Sequence, residues 1–95
     1  MDPLVKLDET RAALRVLLFI YEHEGCNITR IIYETPLAGQ KAVYTAIRTL
    51  LELSLVDEKF EVKKGTMKGE RKFYLTDKGR KVAELLKAVK DILSA

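Results

Sequence analysis

The stretch QKAVYTAIRTLLELSLV, residues 40–56, separates at helical spacing into two unlike faces. Val43, Ala46, Ile47 and Leu50 recur at i, i+3, i+4 and i+7 and form one apolar stripe. Gln40, Lys41, Tyr44, Thr45 and Arg48 fall on the other side, and no acid joins them before Glu52. The major groove of DNA admits one α-helix. Arg can pair bidentately with guanine, Gln with adenine, and Thr can meet a thymine methyl. Tyr44 and Lys41 can also bond phosphate oxygens. A carboxylate on such a face would be repelled by phosphate, so the missing acids carry information.

Upstream, ITRIIYE (residues 28–34) reads as a short helix capped by Asn27, with Ile28, Ile31 and Ile32 inward. Thr29 and Arg30 are its candidate DNA contacts. TPLAG then interrupts, because Pro36 lacks an N–H and disfavours the α conformation at Thr35. Two helices joined by a tight turn containing Gly form a helix-turn-helix pattern. A first helix is expected over residues 8–24, capped by Asp8 and ended by Gly25. Its core stripe is Leu14, Leu17, Leu18 and Tyr21. Val16, Phe19 and Ile20 widen the apolar surface almost round the helix.

Downstream the period changes to 2. Phe60 and Val62 alternate with charged residues, Arg71, Phe73 and Leu75 share one side, and Lys72 and Tyr74 share the other. Gly65 and Gly69 frame a turn, so this is a β-hairpin. Residues 63–72 hold Lys63, Lys64, Lys68, Arg71 and Lys72 against one acid, Glu70, whereas residues 1–24 hold three bases and five acids. The uneven charge is a candidate footprint for phosphate or the minor groove. Thr76 can cap a final helix over residues 77–94, where 82, 85, 89 and 92 make a heptad-like seam.

The chain has 95 residues, a net charge of +3, 47% apolar residues and 33% charged residues, which fits one globular domain, residues 1–95. No apolar run is long enough for a membrane span and the N-terminus has no signal-peptide h-region, so a cytoplasmic, nucleoid-associated protein is expected. Cys26 is the only cysteine and reads as a small buried hydrophobe. His23 is the only histidine and reads as a surface or capping residue. The inventory contains no catalytic constellation, no metal-ligand set and no phosphate-cradling loop, so neither an enzyme nor a cofactor is expected. One Asn and one Gln among many ionic residues is a thermophile pattern.

AVYTAIRTLLELSLV followed by ERKFYLTDKGRKVAELL resembles the winged-helix transcription regulators of the PadR and MarR type. In these regulators the recognition helix ends in a Leu-x-x-x-Gly-Leu-Val/Ile turn and the wing runs into Tyr-x-Leu-Thr-x-x-Gly-Arg. ITRIIYETPL is similar to a segment of small archaeal winged-helix proteins. The resemblance implies an α+β, mainly α, winged helix-turn-helix fold of three helices, a β-hairpin wing and a C-terminal helix. It also implies dimerisation and sequence-selective binding to double-stranded DNA. The chain departs from the pattern at Ser54, where the family usually has Gly, which points to a differently shaped turn after Leu53. No effector domain is appended and no small-molecule effector is evident.

The expected function is therefore a transcription regulator, repressor-like, with residues 40–53 in the major groove. A winged-helix protein-interaction module and a general chromatin or nucleoid DNA-binding protein are the alternatives. A homodimer interface is expected from Val16, Phe19, Ile20, Leu86, Val89, Ile92 and Leu93, since a chain this small has little core to cover them.

Overall fold

A computed structural model describes residues 2–35, 38–62, 64–65 and 68–95. The order is α1 (Pro3–Glu9), α2 (Ala13–Glu22), β1 (Cys26–Asn27), α3 (Ile28–Glu34), α4 (Gln40–Glu52), β2 (Val56–Val62), β3 (Gly69–Leu75) and α5 (Asp77–Ser94). Pro36, on which the expected helix break rested, and Lys63, an expected DNA contact, lie outside the described residues.

The single helix expected over residues 8–24 is two helices, and Asp8 caps neither. Asp2 caps α1, its Oδ1 accepting from the Leu4 N–H at 2.9 Å, with Pro3 following where its missing N–H does no harm. The break comes at Thr10. Its hydroxyl donates to the Lys6 carbonyl at 2.8 Å and lies 3.0 Å from Thr49 Oγ1 of α4. Ala12 then takes φ +67°, which redirects the chain into α2.

The inward side of α2 is Ala13, Val16, Leu17 and Ile20; Leu14 is exposed, and Leu18 and Tyr21 are half-buried. The expected stripe was therefore out of phase. A helix apolar almost all round has no spacing signal that selects one face, and packing against α4, α5 and β3 decides it. Val16 and Ile20, expected in a dimer interface, are fully buried within the chain and belong to its own core. That core also holds Ile31, Val43, Ala46, Ile47, Leu50, Leu55, Val56, Phe73 and Ala83.

The antiparallel sheet has the order β1-β3-β2. β1 is a two-residue strand pairing Cys26 with Phe73, and the Gly25 N–H donates to the Phe73 carbonyl at 2.9 Å. Cys26 is buried there, and burial raises its thiol pKa, as an inert core residue requires. Asn27 Oδ1 accepts from the Arg30 N–H at 2.9 Å and caps α3. β2 and β3 pair from Val56↔Leu75 to Val62↔Gly69, forming the wing.

The turn after α4 keeps the shape that glycine ordinarily supplies. Ser54 takes φ +59°, its N–H donates to the Leu51 carbonyl at 3.1 Å, and the Leu55 N–H donates to Leu50 at 3.0 Å. These two bonds are the Schellman pattern of a helix C-terminus, closed by contact between buried Leu50 and Leu55. Thr76 fastens α5 onto this turn. Its Oγ1 donates to the Ser54 carbonyl at 2.6 Å and accepts from the Gly79 N–H at 2.9 Å. The Thr76 N–H donates to the Leu55 carbonyl, and Lys78 Nζ donates to Leu53 at 3.1 Å. Gly79 passes so close that a Cβ there would sit 1.8 Å from the Leu55 carbonyl oxygen. The Leu-Thr-x-x-Gly segment is thus a fastening of α5 to the end of α4. Beyond it α5 leaves the core: Gly79 and Ala83 are its buried residues, and everything from residue 87 onward is exposed.

Candidate nucleic-acid interface

The two faces of α4 fall where their spacing puts them. Val43, Ala46, Ile47 and Leu50 are buried, and Gln40, Lys41, Tyr44, Thr45 and Arg48 are exposed. Gly39 at φ +84° starts the helix, and the Val43 N–H donates to its carbonyl at 3.2 Å. The Thr45 hydroxyl donates back to the Lys41 carbonyl at 3.1 Å, which leaves its methyl and lone pairs outward. Glu52, the first acid after this face, is ion-paired with Lys6 of α1, and that hydrogen bond lowers its pKa.

Alternation along the wing sorts its side chains into two sets. One face carries Glu58, Phe60, Val62 and Arg71, continuous with buried Val56, Phe73 and Leu75. The other carries Asp57, Lys59, Glu61, Glu70, Lys72 and Tyr74. Arg71 is bonded by both its Nε and its Nη2 to the Glu58 carboxylate; this bond lowers the glutamate pKa and raises that of the guanidinium. Val56, Phe73 and Leu75, at the base of this face, belong to the same buried core as Val43, Ala46, Ile47 and Leu50 of α4. On the outer face, Glu61 accepts from Tyr74 Oη at 2.8 Å and pairs with Lys72 at 3.3 Å, while Lys59 Nζ lies 5.1 Å from the Tyr74 ring centroid. Both bonds to Glu61 hold its carboxyl below the usual range.

The wing is therefore less one-sidedly basic than residues 63–72 alone indicate. Arg71 and Lys72 each have an acidic partner on β2, and Glu70 accepts from Asn27 Nδ2 at 3.2 Å. Lys64 and Lys68 are exposed at the turn end. On α3, Thr29 is exposed, while Arg30 is turned onto α2, its Nη2 3.2 Å from His23 Nδ1 and its guanidinium 5.9 Å from the Phe19 ring centroid. So α4 and the base of the wing's inner face close the same core, while Lys72 lies on the opposite face of the hairpin and Arg30 against α2. Glu58 and Phe60 belong to the inner face and were not read as site residues from the sequence. The hairpin register reveals them, since Phe60 opposes Arg71 and Glu58 sits diagonally from it.

A second surface lies away from α4. Leu14, Leu18 and Phe19 of α2 and Leu86, Val89 and Leu93 of α5 line a groove of about 630 Å³ with Arg15, Glu22, Glu34 and Lys90 among its charged residues. Among the described residues no cluster of three His, Cys, Asp or Glu side chains is placed to hold a metal ion, and no helix is long and apolar enough to cross a membrane.

A helix pair leading to an exposed polar helix, with a hairpin beside it and a closing helix, defines the winged helix-turn-helix fold. The sequence matches no family model and no curated protein. Solved structures do match. The AF1382 protein of Archaeoglobus fulgidus is similar at TM-score 0.73 and 25% identity, with 97% of this chain and 98% of that chain covered. FabT of Streptococcus pneumoniae, solved in complex with DNA, is similar at TM-score 0.71 and 16% identity, over 95% of this chain and 64% of FabT. A PadR family transcription regulator of Clostridium difficile is similar at TM-score 0.70 and 14% identity, over 87% and 91%. The neighbours that carry a family name are of the MarR and PadR type, so the likeness is to winged-helix transcription regulators.

Proposed function

We infer that the chain is a double-stranded-DNA-binding transcription regulator that places α4 in the major groove and the wing on the neighbouring backbone or minor groove. The observation that carries this reading is the exposed, acid-free face of Gln40, Lys41, Tyr44, Thr45 and Arg48 on a helix whose other face is buried. Arg48 and Gln40 take the base-edge role, and Lys41, Tyr44 and Thr45 support them. Lys64 and Lys68 supply phosphate contacts. The complex of FabT with DNA supports the same use of this fold. We read its action as repression, by occupation of the DNA that the α4 face selects.

The regulator acts as a homodimer. Leu85, Val89, Ile92 and Leu93 are exposed along α5, Ile92 at 74% and Leu93 at 79%, next to the groove that α5 makes with α2. Exposed Leu4 and Val5 of α1 and Leu14 line a neighbouring hollow. A second copy laid across both about a two-fold axis would cover them, and would present two α4 helices to half-sites roughly 34 Å apart.

Selection from a random duplex library at fixed salt tests the reading. The expected result is enrichment of a near-palindromic motif. Uniform binding of all sequences would make the chain a DNA packer, and no binding at all would make it a protein-interaction module.

A further inference from the structure

Phe60 stands 67% exposed on β2, the outer strand of the sheet, with Val62 exposed beside it on the same face. An uncovered aromatic on an edge strand is an aggregation hazard unless something covers it. Its setting is built. The ring lies over Gly69 of β3, where a Cβ would come within 2.0 Å of Cζ and 2.2 Å of Cε1. Gly69 has no positive φ, so nothing in its backbone calls for glycine; the ring does. Across the pair, Phe60 opposes Arg71, on the face that runs down to Phe73 and Val56 in the core shared with α4.

We propose that Phe60, seated on Gly69, is an apolar platform that packs against the deoxyribose walls of the minor groove next to the major groove occupied by α4. The proposal rests on the DNA-binding reading and adds to it a contact that is neither phosphate nor major-groove base. Duplex DNA suits this patch better than a protein strand does. Asp57, Glu58, Lys59 and Glu61 charge the same edge and oppose strand addition; Asp57 and Glu61 point to the opposite face, and Glu58, on the patch's own face, is paired with Arg71. The patch shares its face with Arg71 and with the core residues Val56 and Phe73 below it, and Lys64 and Lys68 lie beyond it towards the turn, so phosphates on either side of the groove would meet cations. A ring laid over the neighbouring strand lies along the sheet, the shape that matches sugar C–H edges; a wedge between base steps would project from the sheet.

Apolar packing releases no counterions, which gives the test its signature. Phe60→Ala and Phe60→Leu are compared with the wild type on a duplex that the wild type binds, across a salt series and by hydroxyl-radical footprinting. Phe60→Ala should weaken binding roughly five- to twentyfold at every salt concentration, with the salt slope unchanged. It should also lose protection of the minor-groove sugars, and Phe60→Leu should keep most of both. Gly69→Ala, which pushes the ring off its seat, should reproduce the Phe60→Ala pattern at an unchanged unfolding midpoint. Wild-type-like binding by Phe60→Ala, or a slope altered by about one unit, would overturn the platform and leave the DNA reading standing. A DNA bend present with the wild type and lost with Phe60→Ala would replace the platform by an intercalating wedge. Absence of duplex binding by the wild type would remove the DNA reading and the platform together.

Discussion

Nη2 of Arg71 lies 2.8 Å from Oε2 of Glu58, and the Nε of the same guanidinium meets Oε1, a two-pronged pair set diagonally across the wing. On the DNA-binding reading, the cation on the inner face of β3 is thus half-neutralised before any DNA arrives. Glu58→Gln should release it. The expected outcome is severalfold tighter binding at low salt and a salt dependence steeper by about one unit, read from anisotropy titrations at several salt concentrations. An unchanged slope would mean that Arg71 stays off the phosphates.

Acid should loosen the fold through the same kind of pair. Hydrogen bonds from Arg71, from Tyr74 and Lys72, and from Lys6 lower the pKa values of Glu58, Glu61 and Glu52 below the ordinary 4.5. A depressed folded-state pKa gives stability that is present above the unfolded value and is lost as pH falls through the folded one. Urea unfolding should therefore show little carboxylate-linked change at neutral pH and a decline below about pH 4.5. Replacing all three glutamates by glutamine should flatten that decline; an undiminished decline would assign it to other groups.

Arg48 and the wing lysines should fail differently. Arg48→Ala should cost about 1–3 kcal/mol at the preferred sequence and relax selectivity at one position. Lys64→Ala with Lys68→Ala should weaken all duplexes alike and flatten the salt slope by about two units. Parallel titrations on a selected and a scrambled duplex distinguish these. Equal loss on both duplexes for Arg48→Ala would make it a phosphate contact.

The turn after α4 makes two opposite stability predictions. Ser54 holds a left-handed φ that glycine adopts without strain, so Ser54→Gly should stabilise the chain by about 0.5–1 kcal/mol. That is a rise of a few degrees in Tm. Gly79→Ala drives a methyl into the Leu55 carbonyl and should destabilise by about 3 kcal/mol or more. Calorimetry on the two variants checks both signs, and a stable Gly79→Ala would mean that α5 can lift from Leu55 at little cost.

Leu86→Glu with Val89→Glu places charge in the α2–α5 groove. In sedimentation equilibrium the wild type should be dimeric at tens of micromolar and the variant monomeric with its fold intact. A monomeric wild type with one-to-one half-site stoichiometry would refute the dimer.

Local chemistry made much of the fold legible. The α4 faces, the Asn27 and Thr76 caps and the period-2 hairpin are all short-range patterns, and each appears where its residues put it. The failures are long-range. The break between α1 and α2 rests on an alanine at positive φ and on Thr10 meeting Thr49, a residue 39 positions away. β1 is too short to show a period and exists by pairing with Phe73. Val16 and Ile20 looked like surplus surface because the sequence does not show that β3 and α5 close over α2. The wing looked basic because its acids sit on the other strand, and the register brings Glu58 and Glu61 to the arginine and lysine.

One consequence of the Thr76 fastening concerns distance. A single hydroxyl ties the end of α4 to the start of α5 at 2.6 Å and 2.9 Å, and Gly79 lets the two backbones touch. α4 and α5 therefore behave as one angled piece, like the jaw and arm of a caliper. In a two-fold pair the gap between the jaws is set by how the arms cross, and no loop lies between to absorb an error. On the dimeric DNA-binding reading proposed above, the spacing of the half-sites should matter as strictly as their sequence, and inserting one base pair between them should be punished like a wrong base.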